Sequence, residues 1–86
     1  MVYSVETTET FDKEFDKHKG NREQLESIKT KLSQYPDKYG KPLSGRLHGI
    51  WQERMGPFRL WYVIDKGKKR VVLIAFKHKN QAEQMY

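Results

Sequence analysis

Arg54 and Arg59 flank the dipeptide Gly56-Pro57 at a spacing that sets two cations against each other. Gly at the first central position of a two-residue connection suits a type II′ turn. That turn makes Met55 face Phe58, Arg54 face Arg59, Glu53 face Leu60, Gln52 face Trp61 and Trp51 face Tyr62. Because side chains alternate along a strand, Trp51, Met55, Phe58, Leu60 and Tyr62 are expected on a core face, with Arg54, Arg59 and Gln52 on the other. Like charges directly opposite each other cost a few tenths to about 1 kcal/mol, so a pair with no carboxylate in register calls for an anionic ligand. Guanidinium forks bind phosphate oxygens bidentately, keep their protons at physiological pH and neutralise charge that develops on a phosphoryl transition state. The competing reading has the two side chains bend apart, or one of them pair with Asp65, Glu83 or a helix carboxylate.

Other chemistry-bearing groups are few. His48 and His78 are the acid/base candidates by residue type, although neither has a carboxylate nearby in sequence to orient it, and a single histidine in a basic stretch is more often a surface residue. Trp61, with Tyr39 and Tyr86, has a face on which a base could stack beside the cations, as in single-strand binders; for each ring taken singly, packing under a helix or loop is the commoner use. No metal-ligand spacing, glycine-rich phosphate loop or Ser-His-Asp pattern is present, so no metal and no cofactor is expected. The absence of cysteine excludes a disulfide framework and a thiolate nucleophile.

Charge points the same way. The net charge is +6, and residues 1–40 carry seven basic and eight acidic side chains against ten basic and three acidic in residues 41–86. The second half is therefore the one suited to a polyanion. The opening Met1-Val2-Tyr3-Ser4-Val5-Glu6 does not read as a secretory leader, and no apolar run approaches the ~20 residues of a membrane helix. A soluble, cytoplasmic protein with no membrane partner is the expectation.

The elements that must position the arginines follow from periodicity. At 86 residues one domain, 1–86, is expected. Val2-Tyr3-Ser4-Val5 reads as an opening strand. Thr7, Thr8 and Thr10 offer N-caps to a helix that carries Phe11 and Phe15 on one face, with Gly20 as its C′ residue. Asn21 restarts a second helix with Gln24 completing a capping box, and Leu25, Ile28 and Leu32 form its apolar stripe until Tyr35-Pro36 stops it. Residues 36–45 read as a loop. Ile50 to Met55, Phe58 to Asp65 and Val71 to Lys77 read as three strands, the last apolar without alternation and thus covered on both faces. A tail from His78 to Tyr86 makes a helical turn or two. The fold class is α+β: an N-terminal strand, an αα-hairpin packed on a mainly antiparallel four-stranded sheet, and a short C-terminal helix.

These residues resemble the RelE/ParE superfamily of toxin–antitoxin toxins along nearly the whole chain. The resemblance is carried by the order of K-P-L-S-G-R-L-H-G-I-W-Q-E-R, the Y-R-x-x-Y-like F-R-L-W-Y-V-I-D and the closing K-H-K-N. It implies a compact fold like that of microbial ribonucleases. For RelE-type members it implies entry into the ribosomal A site and mRNA cleavage there, with a 2′-hydroxyl attacking its neighbouring phosphate. Carried over by motif, Arg59 matches the arginine at the scissile phosphate, Arg54 and Lys79 match flanking basic residues, and Tyr86 resembles the closing tyrosine that orients the substrate. His78 completes the candidate catalytic set. Lys41, Arg46, Gln52, Trp61 and Lys77 are the expected RNA-binding positions.

The departures bear on mechanism. Gln52 stands where RelE has a lysine thought to act as base, and Gly40-Lys41-Pro42-Leu43 lacks the glutamate of the YoeB branch. The resemblance implies a cognate antitoxin, the ribosome and mRNA as partners, with no small-molecule cofactor. Its alternatives are a ParE-like gyrase inhibitor without catalytic residues, and an inactive homologue that only binds antitoxin.

Overall fold

The computed structural model describes residues 2–84. Five strands form one sheet in the order β1-β5-β4-β3-β2. They are β1 (Ser4–Thr7), β2 (Lys41–Pro42), β3 (Trp51–Met55), β4 (Phe58–Asp65) and β5 (Arg70–His78); the helices are α1 (Glu9–Lys17), α2 (Arg22–Gln34), α3 (Pro36–Tyr39) and α4 (Lys79–Gln84). Only β1, beside β5, pairs in parallel. The α+β class with a helical hairpin and a short last helix is as the sequence reads, while the strand count is five rather than four. The extra strand, β2, is two residues long and lies in the segment expected to be loop, where Pro36 also opens the one-turn helix α3. The opening strand begins two residues later than expected, since Ser4 to Thr7 are the residues in register with Arg70 to Leu73.

Local chemistry explains the helical hairpin. Thr8 caps α1 by accepting from the Phe11 N–H at 3.1 Å, and Asn21 caps α2 by accepting from the Gln24 N–H at 2.9 Å. The left-handed residue that ends α1 is Lys19 (φ 52°), not Gly20. Lys19 N–H reaches the Asp16 carbonyl and Gly20 N–H the Phe15 carbonyl, a Schellman closure with Gly20 one position further on. Glycine is required there for space: a Cβ would stand 2.2 Å from the Phe15 ring.

The sheet has a core on each face. Phe11, Phe15, Leu25, Ile28 and Leu32 of the helices pack on Met55, Leu60, Tyr62, Val71, Leu73 and Phe76. On the opposite face a smaller cluster joins Leu43, Trp61, Ala75 and Ala82, with Leu47, Ile50 and Ile74 against it. The register between β4 and β5 slips at Trp61/Tyr62, which pair with Ala75 and Leu73 and leave Ile74 as the extra residue. This bulge, together with the second core, accounts for the apolar run of β5.

At the far edge, Tyr62 is buried under α3 and donates its hydroxyl to the Pro36 carbonyl at 2.6 Å. Burial, more than the nearby carboxylate of Glu53, pushes its phenol well above the usual tyrosine range. Gly40 lets this happen, because a Cβ there would stand 2.3 Å from the Tyr62 oxygen and 3.0 Å from the Gln52 carbonyl oxygen. Glu53 shares the region and is held above its ordinary value of 4.5, chiefly by burial, against the lowering effects of the Arg54 N–H it accepts and of the Lys31 charge.

Two outcomes follow from this corner. Gly40→Ala forces the Tyr62 hydroxyl off Pro36 at about 1–3 kcal/mol, the usual cost of overpacking; the melting temperature should fall by several degrees, and a melt like that of wild type would show that the hydroxyl has room to move. For Glu53, a raised carboxyl pKa means stability that is full below the ordinary value and lost as pH rises through the folded value. Glu53→Gln removes that loss, so its melting advantage over wild type should grow between pH 4 and pH 7; an advantage that shrinks with rising pH contradicts the assignment.

Candidate nucleic-acid interface

The β3–β4 hairpin supplies the two cations. Gly56 adopts φ 62°, a left-handed value that glycine takes without penalty, and the following proline fixes the turn. The observed register is Met55 with Phe58, Arg54 with Arg59, Glu53 with Leu60, Gln52 with Trp61 and Trp51 with Tyr62. Arg59 is half-buried and folds over its own turn, Nη1 donating to the carbonyls of Phe58 at 2.9 Å and Gly56 at 3.2 Å. Arg54 is exposed. Among the described residues neither arginine forms an ion pair; Asp65 is 4.0 Å from Arg70, and the helix carboxylates Glu9, Asp16, Glu26 and Glu14 pair with other cations.

Several candidate positions gather around this pair. Lys41 of β2 is exposed and in register with Gln52. Gln52 accepts from the Trp61 indole N–H at 2.8 Å through Oε1; an indole only donates, so the amide nitrogen of Gln52 is left as a donor. Lys79 donates its backbone N–H to the Pro57 carbonyl at 2.9 Å, which ties the start of α4 to the hairpin turn and leaves the lysine exposed beside it. Tyr39, Lys41, Gln52, Glu53 and Arg54 line a notch of about 210 Å³ at the outer edge of β3. Glu53 is the residue that sequence reasoning passed over. A glutamate between Trp51 and Met55 on the core-facing side of the strand was its one signal.

Other candidates are placed elsewhere. Trp61 is no stacking platform, being 3% exposed beneath Leu43, Ala75 and Ala82 in the second core. Lys77 is half-buried and pairs with Glu14, whose other oxygen accepts the Phe76 N–H at 3.1 Å; the α1 carboxylate thereby closes the edge of β5 beyond β1 and removes Lys77 as a free cation. His78 pairs with Phe58, which packs in the helix-face core, and its ring stands at 89° to the Phe58 ring with centroids 5.7 Å apart. Alternation puts that imidazole on the face opposite Arg59, and its Nδ1 accepts from the Asn80 N–H at 3.2 Å. Arg46 and His48 are exposed in and just after the 3-10 turn Gly45–Leu47, with no hydrogen bond or ion pair to the hairpin among the described residues. The Tyr86 position lies outside the described residues. No group of three or more His, Asp or Glu among the described residues is placed to hold a metal ion. No helix there is long and apolar enough to cross a membrane.

No family model matches the chain. The toxin RelE of Mycobacterium tuberculosis is 36% identical over 50 residues, a segment that spans 58% of this chain and 52%, about half, of that relative. A chain of the toxin–antitoxin complex RelBE2, also from Mycobacterium tuberculosis, superposes with a TM-score of 0.75 at 31% identity and covers 92% of this chain and 100% of its own. A YoeB/ParE toxin from Agrobacterium tumefaciens superposes with a TM-score of 0.73 over 87% of this chain and 96% of its own; at 16% identity it speaks for the fold alone. A full-length match at that first level of identity, together with the segment shared with RelE, establishes that the chain belongs to the RelE-like toxins of toxin–antitoxin systems.

Proposed function

We propose that this protein is a ribosome-dependent endoribonuclease that cuts mRNA in the ribosomal A site, neutralised by a cognate antitoxin. The observation that carries the reading is the Arg54–Arg59 pair, held in direct opposition without a carboxylate partner. The chemistry is transesterification. The 2′-oxygen attacks the adjacent phosphorus and loses its proton, the bond to the 5′-oxygen breaks, and that oxygen gains a proton as it leaves. Charge builds on the phosphoryl oxygens, where Arg59 and Arg54 stabilise it, and Lys79 adds a third positive charge beside the turn. Arg59 is positioned by its own turn carbonyls, so little reorganisation is needed as charge develops.

The described residues place no general base on this face. Gln52 is an amide, and His78 is turned to the other side of the sheet. Catalysis in this reading rests on electrostatic stabilisation and on orientation of the mRNA by the ribosome, with proton transfer supplied by solvent, the ribosome or a group outside the described residues. The antitoxin is expected to be acidic and partly disordered before binding, folding as it covers the basic half of the chain. The similar RelBE2 chain belongs to a toxin–antitoxin complex, which supports this partner here.

Toeprinting on programmed ribosomes tests the reading. Wild type should cut within the A-site codon, and Arg59→Ala should lose at least about 10²-fold in rate, the usual effect of removing one transition-state donor. Its melting temperature should stay within a few degrees of wild type. No cleavage by wild type, with gyrase supercoiling blocked in its place, would overturn the proposal in favour of a gyrase-binding toxin.

A further inference from the structure

We propose that the notch beside Arg54 is a nucleobase subsite, in which Tyr39 stacks on the base of a nucleotide neighbouring the phosphate held by Arg54 and Arg59. The inference rests on the RNA reading above and adds to it a residue that selects or positions the substrate strand. The notch exists because β2 pairs with β3 only through Lys41–Gln52 and Pro42–Trp51, so the outer edge of β3 from Glu53 onward is uncovered. Its volume of about 210 Å³ is below the ~300–1,000 Å³ of drug-sized pockets and suits a single heterocycle.

The lining has the parts that hold a base. Tyr39 is 44% exposed and belongs to neither core. Lys31 Nζ stands over the Tyr39 ring, 5.7 Å from its centroid, so one face carries a cation and the opposite face is the one for a flat aromatic guest. Gln52, its amide fixed by Trp61, contributes N–H donors, and Glu53 contributes carboxyl oxygens, of which Oε1 accepts from the Arg54 N–H at 2.9 Å. The amide lies on the arginine face of β3 and the carboxyl on its core-facing side, so a base entering at the strand edge meets a donor from one face and an acceptor from the other. Lys41 and Arg54 give the rim a positive charge for the backbone.

Continuity with the proposed site is direct. Arg54 lines the notch and is also the cross-strand neighbour of Arg59, and directly opposed residues have Cβ atoms about 4.5–5.5 Å apart. The proposed phosphate site and the notch therefore share Arg54. The unpaired, extruded bases that proteins read on single-stranded RNA are the kind of guest that stacks on a tyrosine.

The test is a cycle between protein and RNA, using a 2′-O-methylated single-stranded oligonucleotide that cannot be cut, with a single abasic position walked along it. Anisotropy binding is measured for wild type, Tyr39→Ala and Tyr39→Phe. Tyr39→Ala should weaken binding about tenfold, within the range for loss of one base–aromatic stack. One abasic position should weaken wild type by a similar factor and have no further effect on Tyr39→Ala, while Tyr39→Phe should bind as wild type. If the two losses multiply independently, or no abasic position matters, the subsite is overturned. Because this readout needs no cleavage, it separates failure of the subsite from failure of the nuclease reading, which the toeprint reports. On ribosomes that wild type cleaves, Tyr39→Ala should also flatten the preference among A-site codons, and an unchanged codon profile would count against the subsite.

Discussion

The Gly56-Pro57 turn fixes everything that matters at the proposed site. A positive φ at Gly56 with proline next to it allows one tight connection, and that connection leaves no freedom in which residue of β3 meets which of β4. Arg54 must then oppose Arg59. A one-residue slip of β3 would send Arg54 to the helix face and turn Met55 out of the main core. The unfavourable charge pair is thus built into a register that hydrophobic burial enforces, and the core of Met55, Leu60 and Tyr62 supplies the energy that holds it.

The sheet sorts chemistry by face. Helices α1 and α2 take one side, and a side chain that lands there away from the strand edge is removed from the arginine face whatever its type. His78 is such a case, through its pairing with Phe58. The other side is shared between the small core around Trp61 and the open region around the arginines. Trp61 serves that region from beneath, through the hydrogen bond that sets the direction of the Gln52 amide. At the two sheet edges, carboxylates act in opposite ways. Glu14 closes the edge of β5 and consumes Lys77, whereas Glu53 satisfies the Arg54 N–H and leaves the edge of β3 as an open notch.

Much of this was legible in the sequence, for reasons that can be named. Phe11, Phe15, Leu25, Ile28 and Leu32 repeat at helical spacing, and the Gly-Pro turn admits few strand pairings, so the hairpin of helices and the register of Arg54 with Arg59 could be read directly. A two-residue strand such as β2 has no period to detect, and the bulge at Ile74 disguises the alternation of β5. The four residues between β4 and β5 do not dictate a register, so the face taken by His78 is not legible in the sequence. Trp61 looked available because the segment that covers it touches it through small residues, Ala75 and Ala82, whose burial has little signature in a sequence.

Arg54 and Arg59 are held in register with no carboxylate partner among the described residues, Arg59 donating only to its own turn carbonyls. A double-mutant cycle on the folding stability of wild type, Arg54→Gln, Arg59→Gln and the double variant isolates the cost of this opposition from the general relief of positive charge. Measured at low salt, the coupling should be repulsive, a few tenths to about 1 kcal/mol. It should fade as the Debye length falls from ~30 Å at 0.01 M to ~3 Å at 1 M. An attractive coupling, or none at low salt, would mean that the two arginines do not face each other as charges awaiting an anion.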